Sequence, residues 1–382
     1  MGYCPFVTVT EFRGWMVEVD YLITGGAGFV GCALSADLLR AGGAVKTPPS
    51  IIAVDSLHPQ VHLTDSRPAF LPVAVDLRKM DICDAAAWDT LLQEIRPRTI
   101  IHLAAETGTG QSLDLPVRHT HTNITGTAEM LEALHRAGQV PDHIVLSSSR
   151  AVYGEGVWVD PADGRIFQPG RRESAALERG DFAVAAPSGL LATPVALHHA
   201  RVQPAPSSIY GVTKLAQEQV LSNWCAARSV PLTTLRLQNV YGVGQSPYNP
   251  YTGIIVLFHR LAAAGKRIEV YEDGDMGRDF IYIDDVVQTM IKAIEYPLKV
   301  SRTIDVGSGA VKTILEAAQQ IACIYSAPEP EITGAFRYGD IRWAVCDPAD
   351  MQEQFEVTPR VGFVEGNERL SRWLRDTGII AA

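Results

Sequence analysis

The chain has 382 residues, 47% of them hydrophobic, enough to bury a sizeable core and to build two lobes. With 33 basic residues against 43 acidic ones the net charge is -10, so the broad basic surface that non-specific nucleic-acid binding needs is excluded. No run of about 18 apolar residues occurs, and no membrane-spanning helix is expected.

The N-terminal stretch MGYCPFVTVTEFRGW lacks the basic-then-apolar layout of a secretion signal, which points to a cytoplasmic protein. Met16 stands just before the first strand-like run, so residues 1–15 read as an upstream extension. The six cysteines, Cys4, Cys32, Cys83, Cys225, Cys323 and Cys346, are scattered without a C-x-x-C pair. They read as free thiols, and neither a disulfide frame nor a metal site is expected. Asn123-Ile124-Thr125 matches a glycosylation acceptor, read as chance in a chain without a secretion signal.

Apolar runs alternate with helical stretches over the first 150 residues. VDYLIT (19–24) is a predicted strand, and FVGCALSADLLRAG (29–42) a helix with apolar positions three and four apart. Strands SIIAVD (50–55), LPVAVD (71–76), TIIHLAA (99–105) and HIVLSSS (143–149) follow, with helices over 84–95 and 121–137 between them. Buried strands separated by helices imply parallel β-α-β units. From 154 to 207 the rhythm breaks into a Gly-, Pro-, Ala- and Arg-rich insertion, read as part loop and part lid. A helix over 209–229, the strand PLTTLRL (231–237) and a mixed last third containing YIDDVVQTMIKAIEY (282–296) complete the pattern. The expected fold is α/β: a Rossmann-like doubly wound parallel sheet with a smaller mixed α/β substrate-binding lobe.

Thr24-Gly25-Gly26-Ala27-Gly28-Phe29-Val30-Gly31 sets glycines at 25, 28 and 31 between a strand and a helix. Such a turn lets a dinucleotide pyrophosphate approach the backbone and rest on the helix N-terminus. Asp55 ends the second strand, 24 residues after Gly31 (55 − 31). A carboxylate there accepts bonds from ribose hydroxyls and repels a 2′-phosphate, and no arginine follows it, so NAD is favoured over NADP. The NAD-binding part is expected over 17–242, including the insertion. The substrate lobe is expected mainly over 243–382, with 279–306 returning to the first part.

Tyr210 and Lys214, in Tyr210-Gly211-Val212-Thr213-Lys214, lie four apart on one helix face. A nearby ammonium favours the phenolate and would make Tyr210 a usable base near neutral pH. Upstream stands Ser147-Ser148-Ser149-Arg150-Ala151-Val152-Tyr153-Gly154. Together these segments resemble the extended short-chain dehydrogenase/reductases that epimerise, dehydrate or decarboxylate nucleotide sugars, from about residue 19 to 350. The resemblance implies a catalytic set of Ser149, Tyr210 and Lys214. Cofactor contacts would come from Gly25, Gly28, Phe29, Val30, Gly31, Asp55, Asp81, Ile82, Leu103, Ala104, Ala105, Tyr210 and Lys214. Asp81-Ile82 would touch adenine, His102-Leu103-Ala104-Ala105 would run along the cofactor, and Asn123 would support the backbone. Substrate contacts would come from Thr107, Ser149, Arg150, Asn239, Arg278 and Arg342, the last two gripping the substrate pyrophosphate.

The departures from the family pattern bear on the reaction. Related 4,6-dehydratases carry T-D-E before V-Y-G, and decarboxylases a glutamate; here Arg150 and Ala151 hold those places. Alanine removes no proton, which favours a simple 4-epimerase acting on a dTDP- or UDP-linked hexose or deoxyhexose. The stretch is similar to the dTDP-L-rhamnose 4-epimerase-like branch, whose insertion often carries cysteines that this chain lacks. Glu155 and Glu173 of the insertion stay open as alternative bases for a dehydratase. The rivals are a net C4 reductase or dehydrogenase, a 4,6-dehydratase, and a non-catalytic NAD-binding protein. The resemblance also implies a homodimer, with the helices over 121–137 and 209–229 at its interface.

Overall fold

The computed structural model describes residues 16–42, 48–249, 253–295 and 300–380. The upstream extension over 1–15, with Cys4, lies outside the described residues, as does the end of the helix expected to reach 296.

Seven strands form one all-parallel sheet: β1 (Val17–Thr24), β2 (Ile51–Asp55), β3 (Asp76–Lys79), β4 (Ile95–His102), β5 (His143–Ser149), β6 (Leu232–Leu237) and β7 (Arg302–Val306). Their order is β7-β6-β5-β4-β1-β2-β3, the doubly wound order of a Rossmann sheet. Successive side chains of a strand face opposite sides of the sheet, so neighbours serve different cores. Leu22 of β1 packs with Trp88, Met130, Leu134 and Leu221 on one side. Ile23 packs with Leu34, Val286, Met290 and Ile304 on the other.

The expected strand over 71–76 is displaced: the run LPVAV is a turn, and the strand is Asp76–Lys79. Pro72 interrupts the ladder and accepts the Val75 amide at 3.0 Å, closing a turn instead. The helix expected over 121–137 is Gly126–Arg136, preceded by a π-helical turn, His121–Thr125. Asn123 explains the turn. Its fully buried side chain accepts the Glu106 amide at 2.7 Å and donates to Glu106 O at 3.0 Å and Thr213 Oγ1 at 2.9 Å. With every polar atom engaged, Asn123 is closed to glycosylation in this fold.

The insertion is an ordered unit. Trp158–Val159 pairs antiparallel with Ile166–Phe167 and with Thr193–Pro194, and Ser174–Glu178 forms a short helix. Val152, Tyr153, Val157, Leu197 and Val202 pack with Ile341, Ala344 and Cys346 in a small core of their own. Beyond the sheet, Gly277–Tyr282 pairs with Asn239–Tyr241, Val311–Thr313 and Trp343–Ala344. Among the described residues no helix is long and apolar enough to cross a membrane.

Candidate active site

The ends of β1, β2, β4 and β5 open into one cavity of about 680 Å³, within the size range of cofactor sites. Gly25 begins the turn after β1 with φ +67°, and a Cβ there would lie 2.7 Å from Ala104 N. A Cβ on Gly31 would lie 2.6 Å from the Gly26 Cα. The two glycines let the turn close against the segment after β4 and against itself. Gly28, by contrast, has only Gly25 O near its Cβ position, at 3.1 Å, and it lines the cavity. The exposed backbone of this turn is the cradle that a pyrophosphate fits. Asp55 stands beside it, Oδ2 accepting the Ala27 amide at 3.1 Å and Oδ1 the Leu57 amide at 2.9 Å. The carboxylate therefore braces the glycine turn as well as facing the cavity.

Asp81, Ile82, Leu103, Ala104, Ala105, Phe29 and Val30 line the same cavity, as do Thr107, Ser149, Arg150, Tyr210 and Asn239. Ser149 caps the 3-10 turn Arg150–Tyr153 by accepting the Ala151 amide. Tyr210 enters from the helix Ile209–Arg228, which Ser208 caps by accepting the Gly211 amide at 3.1 Å. Burial raises the Tyr210 pKa, while a hydrogen bond from Ser149 and the Arg150 charge lower it.

Arg150 is thus a cation beside Tyr210 that the sequence did not mark as lowering it. The Lys214 ammonium is fully enclosed and bonds Gln217 Oε1, and Gln217 in turn contacts His102 Nε2 and Thr127 Oγ1 at 2.9 Å each. Desolvation pushes Lys214 down to about 7 and His102 down to about 3. Arg150 donates from Nε to Asn239 Oδ1 at 2.7 Å, and burial together with the Arg278 charge pushes it down to about 9.

Arg278 and Arg342 do not line the cavity. Arg278 donates to the carbonyls of Gly277 and Ile341, each at 2.8 Å. Arg342 is held by Asp273 at 2.5 and 2.8 Å and by Glu272 at 3.3 Å. Both guanidinium groups are engaged inside the protein, next to the insertion, where Arg172 ties Glu155 and Glu272 together. Glu155 faces a second cavity of about 340 Å³, and Glu173 is exposed, so neither alternative base reaches the main cavity. Among the described residues its carboxylates are Asp55, Asp81 and Glu106, the last ion-paired with Arg118 at 2.8 Å.

Sequence reasoning missed some lining groups. Gln60 and Asn249 line the cavity, and Gln60 Nε2 donates to Asn249 Oδ1 at 3.2 Å and to Gln111 Oε1 at 3.1 Å, joining three separate segments. Single amides in loops form no spacing pattern, so nothing in the sequence marks them.

A family model described as GDP-mannose 4,6 dehydratase matches residues 22–169, and one described as the NAD dependent epimerase/dehydratase family matches 192–307. A dTDP-L-rhamnose 4-epimerase of Burkholderia thailandensis is 44% identical over 353 residues, covering 92% of this chain and 94% of that protein. The chain belongs to the NAD-dependent nucleotide-sugar epimerase/dehydratase family. A UDP-glucose 4-epimerase of Mycolicibacterium smegmatis is 27% identical, covering 93% of this chain and 98% of that protein. A solved UDP-glucose 4-epimerase of Thermus thermophilus, in complex with NAD, superposes with TM-score 0.72 at 25% identity, covering 93% of this chain and 99% of that one.

Proposed function

We propose that this enzyme is an NAD-dependent nucleotide-sugar 4-epimerase that works through a transient 4-keto sugar on a dTDP- or UDP-linked hexose or deoxyhexose. The observation that carries the reading is the cavity's chemistry. Ser149 and Tyr210 face it together, Ala151 stands where a dehydratase carries its glutamate, Glu155 is engaged elsewhere, and Glu106 of the cavity is ion-paired with Arg118. The similarity to the Burkholderia enzyme supports the same reaction.

Gly25, Gly28, Gly31, Asp55, Asp81 and Ile82 would hold the NAD. Bound NAD supplies a hydride acceptor and donor, and is recycled. Tyr210 accepts the proton of the sugar C4 hydroxyl and later returns it, and Ser149 hydrogen-bonds the same oxygen. Arg150 supplies the positive charge that favours the Tyr210 phenolate. Asn239, its Oδ1 fixed by Arg150, is left to offer its amide N–H to the sugar nucleotide. Arg278 sits behind the cavity wall, its Nη atoms donating to protein carbonyls, and adds positive charge toward the diphosphate. Residues 17–242 form the NAD-binding part and 243–382 mainly the substrate lobe, with β7 returning to the sheet.

The decisive experiment incubates the enzyme with dTDP- and UDP-sugars in heavy water and follows the product by NMR. Inversion at C4 without solvent deuterium at C4 or C5 is expected. Deuterium at C5, or a product lighter by one water, overturns the reading in favour of a dehydratase.

A homodimer is part of the proposal. Leu113, Leu115, Val117 and Val212 are exposed large apolar side chains, and the short helices that carry Leu113 and Val117, with Leu115 between them, pack against the helix of Val212. An apolar patch of this kind marks an interface. The protein is also proposed to be cytoplasmic, in keeping with five free thiols among the described residues.

A further inference from the structure

The insertion returns to the sheet through His198 and His199, just before the segment that leads into Tyr210. The two rings stack with centroids 4.8 Å apart. His198 Nε2 lies 3.0 Å from Asp350 Oδ2, and His199 Nδ1 lies 3.1 Å from the same oxygen. Yet Asp350 Oδ2 and His199 Nδ1 are buried atoms without a hydrogen-bond partner. Two of the three converging groups thus bring a buried, unpartnered acceptor to the same point, which is what a cation shared among them would use.

We propose that His198, His199 and Asp350 form a zinc-binding site that clamps the insertion to the C-terminal segment. Two imidazoles and one carboxylate are a borderline-soft set suited to zinc, and a fourth position stays open for water. Zinc bonds of about 2.0–2.2 Å in a tetrahedron place donor atoms about 3.3–3.5 Å apart. The separations of 3.0 and 3.1 Å to Asp350 would open by a few tenths of an ångström, and the two imidazole donors, inside 4.8 Å, would settle at the same spacing.

Charge supports the assignment. Asp305 Oδ2 lies 3.8 Å from His199 Nδ1, so two carboxylates face the site and match a divalent ion. Asp305 also accepts the His199 amide at 2.7 Å and the Tyr153 hydroxyl at 2.7 Å, which fixes the backbone that carries the ligand. One bond opposes loading: the Ala200 amide donates to His198 Nδ1 at 3.2 Å. Metal at Nε2 places the ring proton on Nδ1, so this amide must turn away.

A clamp here has a mechanical reason. The strands of the insertion are two residues long, and its return limb meets the C-terminal segment through a small apolar core, the Arg201–Asp347 ion pair and a short ladder. That ladder consists of Leu197 N to Val345 O and Asp347 N to Leu197 O, each at 2.8 Å. A metal joining His198 and His199 to Asp350 extends the same seam. The site does not depend on the epimerase reading.

The test uses the full-length enzyme purified with its NAD and stripped with a chelator. Zinc chloride titration should give one zinc per chain by mass spectrometry, and cobalt substitution should give the visible absorption of a tetrahedral ion. His199→Ala and Asp350→Asn should each weaken zinc binding about 100-fold or more, and Asp305→Asn, one shell out, about 10–100-fold. Circular dichroism and retained NAD would establish that the variants fold. No stoichiometric zinc in the wild type, or equal zinc affinity in folded His199→Ala and Asp350→Asn, overturns the proposal.

Discussion

Asp55 offers a quantitative test of cofactor choice. Its carboxylate accepts two backbone amides, at 3.1 and 2.9 Å, and still lines the cavity. A 2′-phosphate carries close to two negative charges, and a unit pair about 4 Å apart interacts by about 1 kcal/mol in water and about 4 kcal/mol at a surface-like dielectric. The repulsion is therefore about 2 kcal/mol at the low end, a factor of about 30 in affinity, before any lost ribose hydrogen bond is counted. Wild-type enzyme should bind NAD at least about 30-fold more tightly than NADP. Asp55→Asn keeps one acceptor oxygen and removes the charge, so it should narrow this ratio chiefly by improving NADP. Asp55→Ala also frees the Ala27 and Leu57 amides, loosens the glycine turn and should weaken both cofactors. Calorimetric titration of stripped enzyme with each cofactor measures all three proteins. Equal wild-type affinities, or an Asp55→Asn ratio unchanged from wild type, would refute the reasoning.

Other perturbations read different parts of the site. Tyr210→Phe should keep cofactor binding and lower turnover about 100-fold or more, the scale of a lost proton-transfer group; near-normal turnover removes Tyr210 as the base. Arg150→Met deletes the charge that lowers Tyr210, leaving burial to raise it, so the ascending limb of kcat/KM against pH should move to higher pH. Arg278 and Asp340 act on Arg150 itself, and an unmoved limb would remove Arg150 as the charge that lowers Tyr210. Glu218→Gln breaks a buried pair in which Arg236 reaches both carboxylate oxygens at 3.0 and 2.7 Å, and should cost about 3–5 kcal/mol in urea unfolding.

The parts of the fold that the sequence made legible rest on contacts close in the chain. The helix Phe29–Gly42 and the strand His143–Ser149 fall at their expected bounds, because periodicity and flanking turns are local signals. The strand after β2 slipped because LPVAVD has an apolar pattern, while Pro72 commits the backbone to a turn. The cavity residues of the glycine turn, β4 and β5 were legible for the same local reason, as each belongs to a compact motif.

Side chains whose role depends on distant partners were not legible. Lys214 shares a helix face with Tyr210, yet its ammonium bonds Gln217, whose amide is held by His102 and Thr127 from far along the chain. Arg278 and Arg342 carry the right charge at the right places in the motif, but the carbonyls of one and the acids of the other are brought in by the loop over 271–275 and the segment over 339–344. Helix spacing predicts which residues share a face, not which of several neighbours wins a bond. The same limit applies to His198 and His199: two adjacent histidines show no metal pattern until the fold sets Asp350 against them. Where a site is assembled across the chain, its chemistry follows from the pairs that the fold closes. Arg150, brought beside Tyr210 by the turn after β5, is such a case: its charge lowers the Tyr210 pKa, and no spacing pattern marks it.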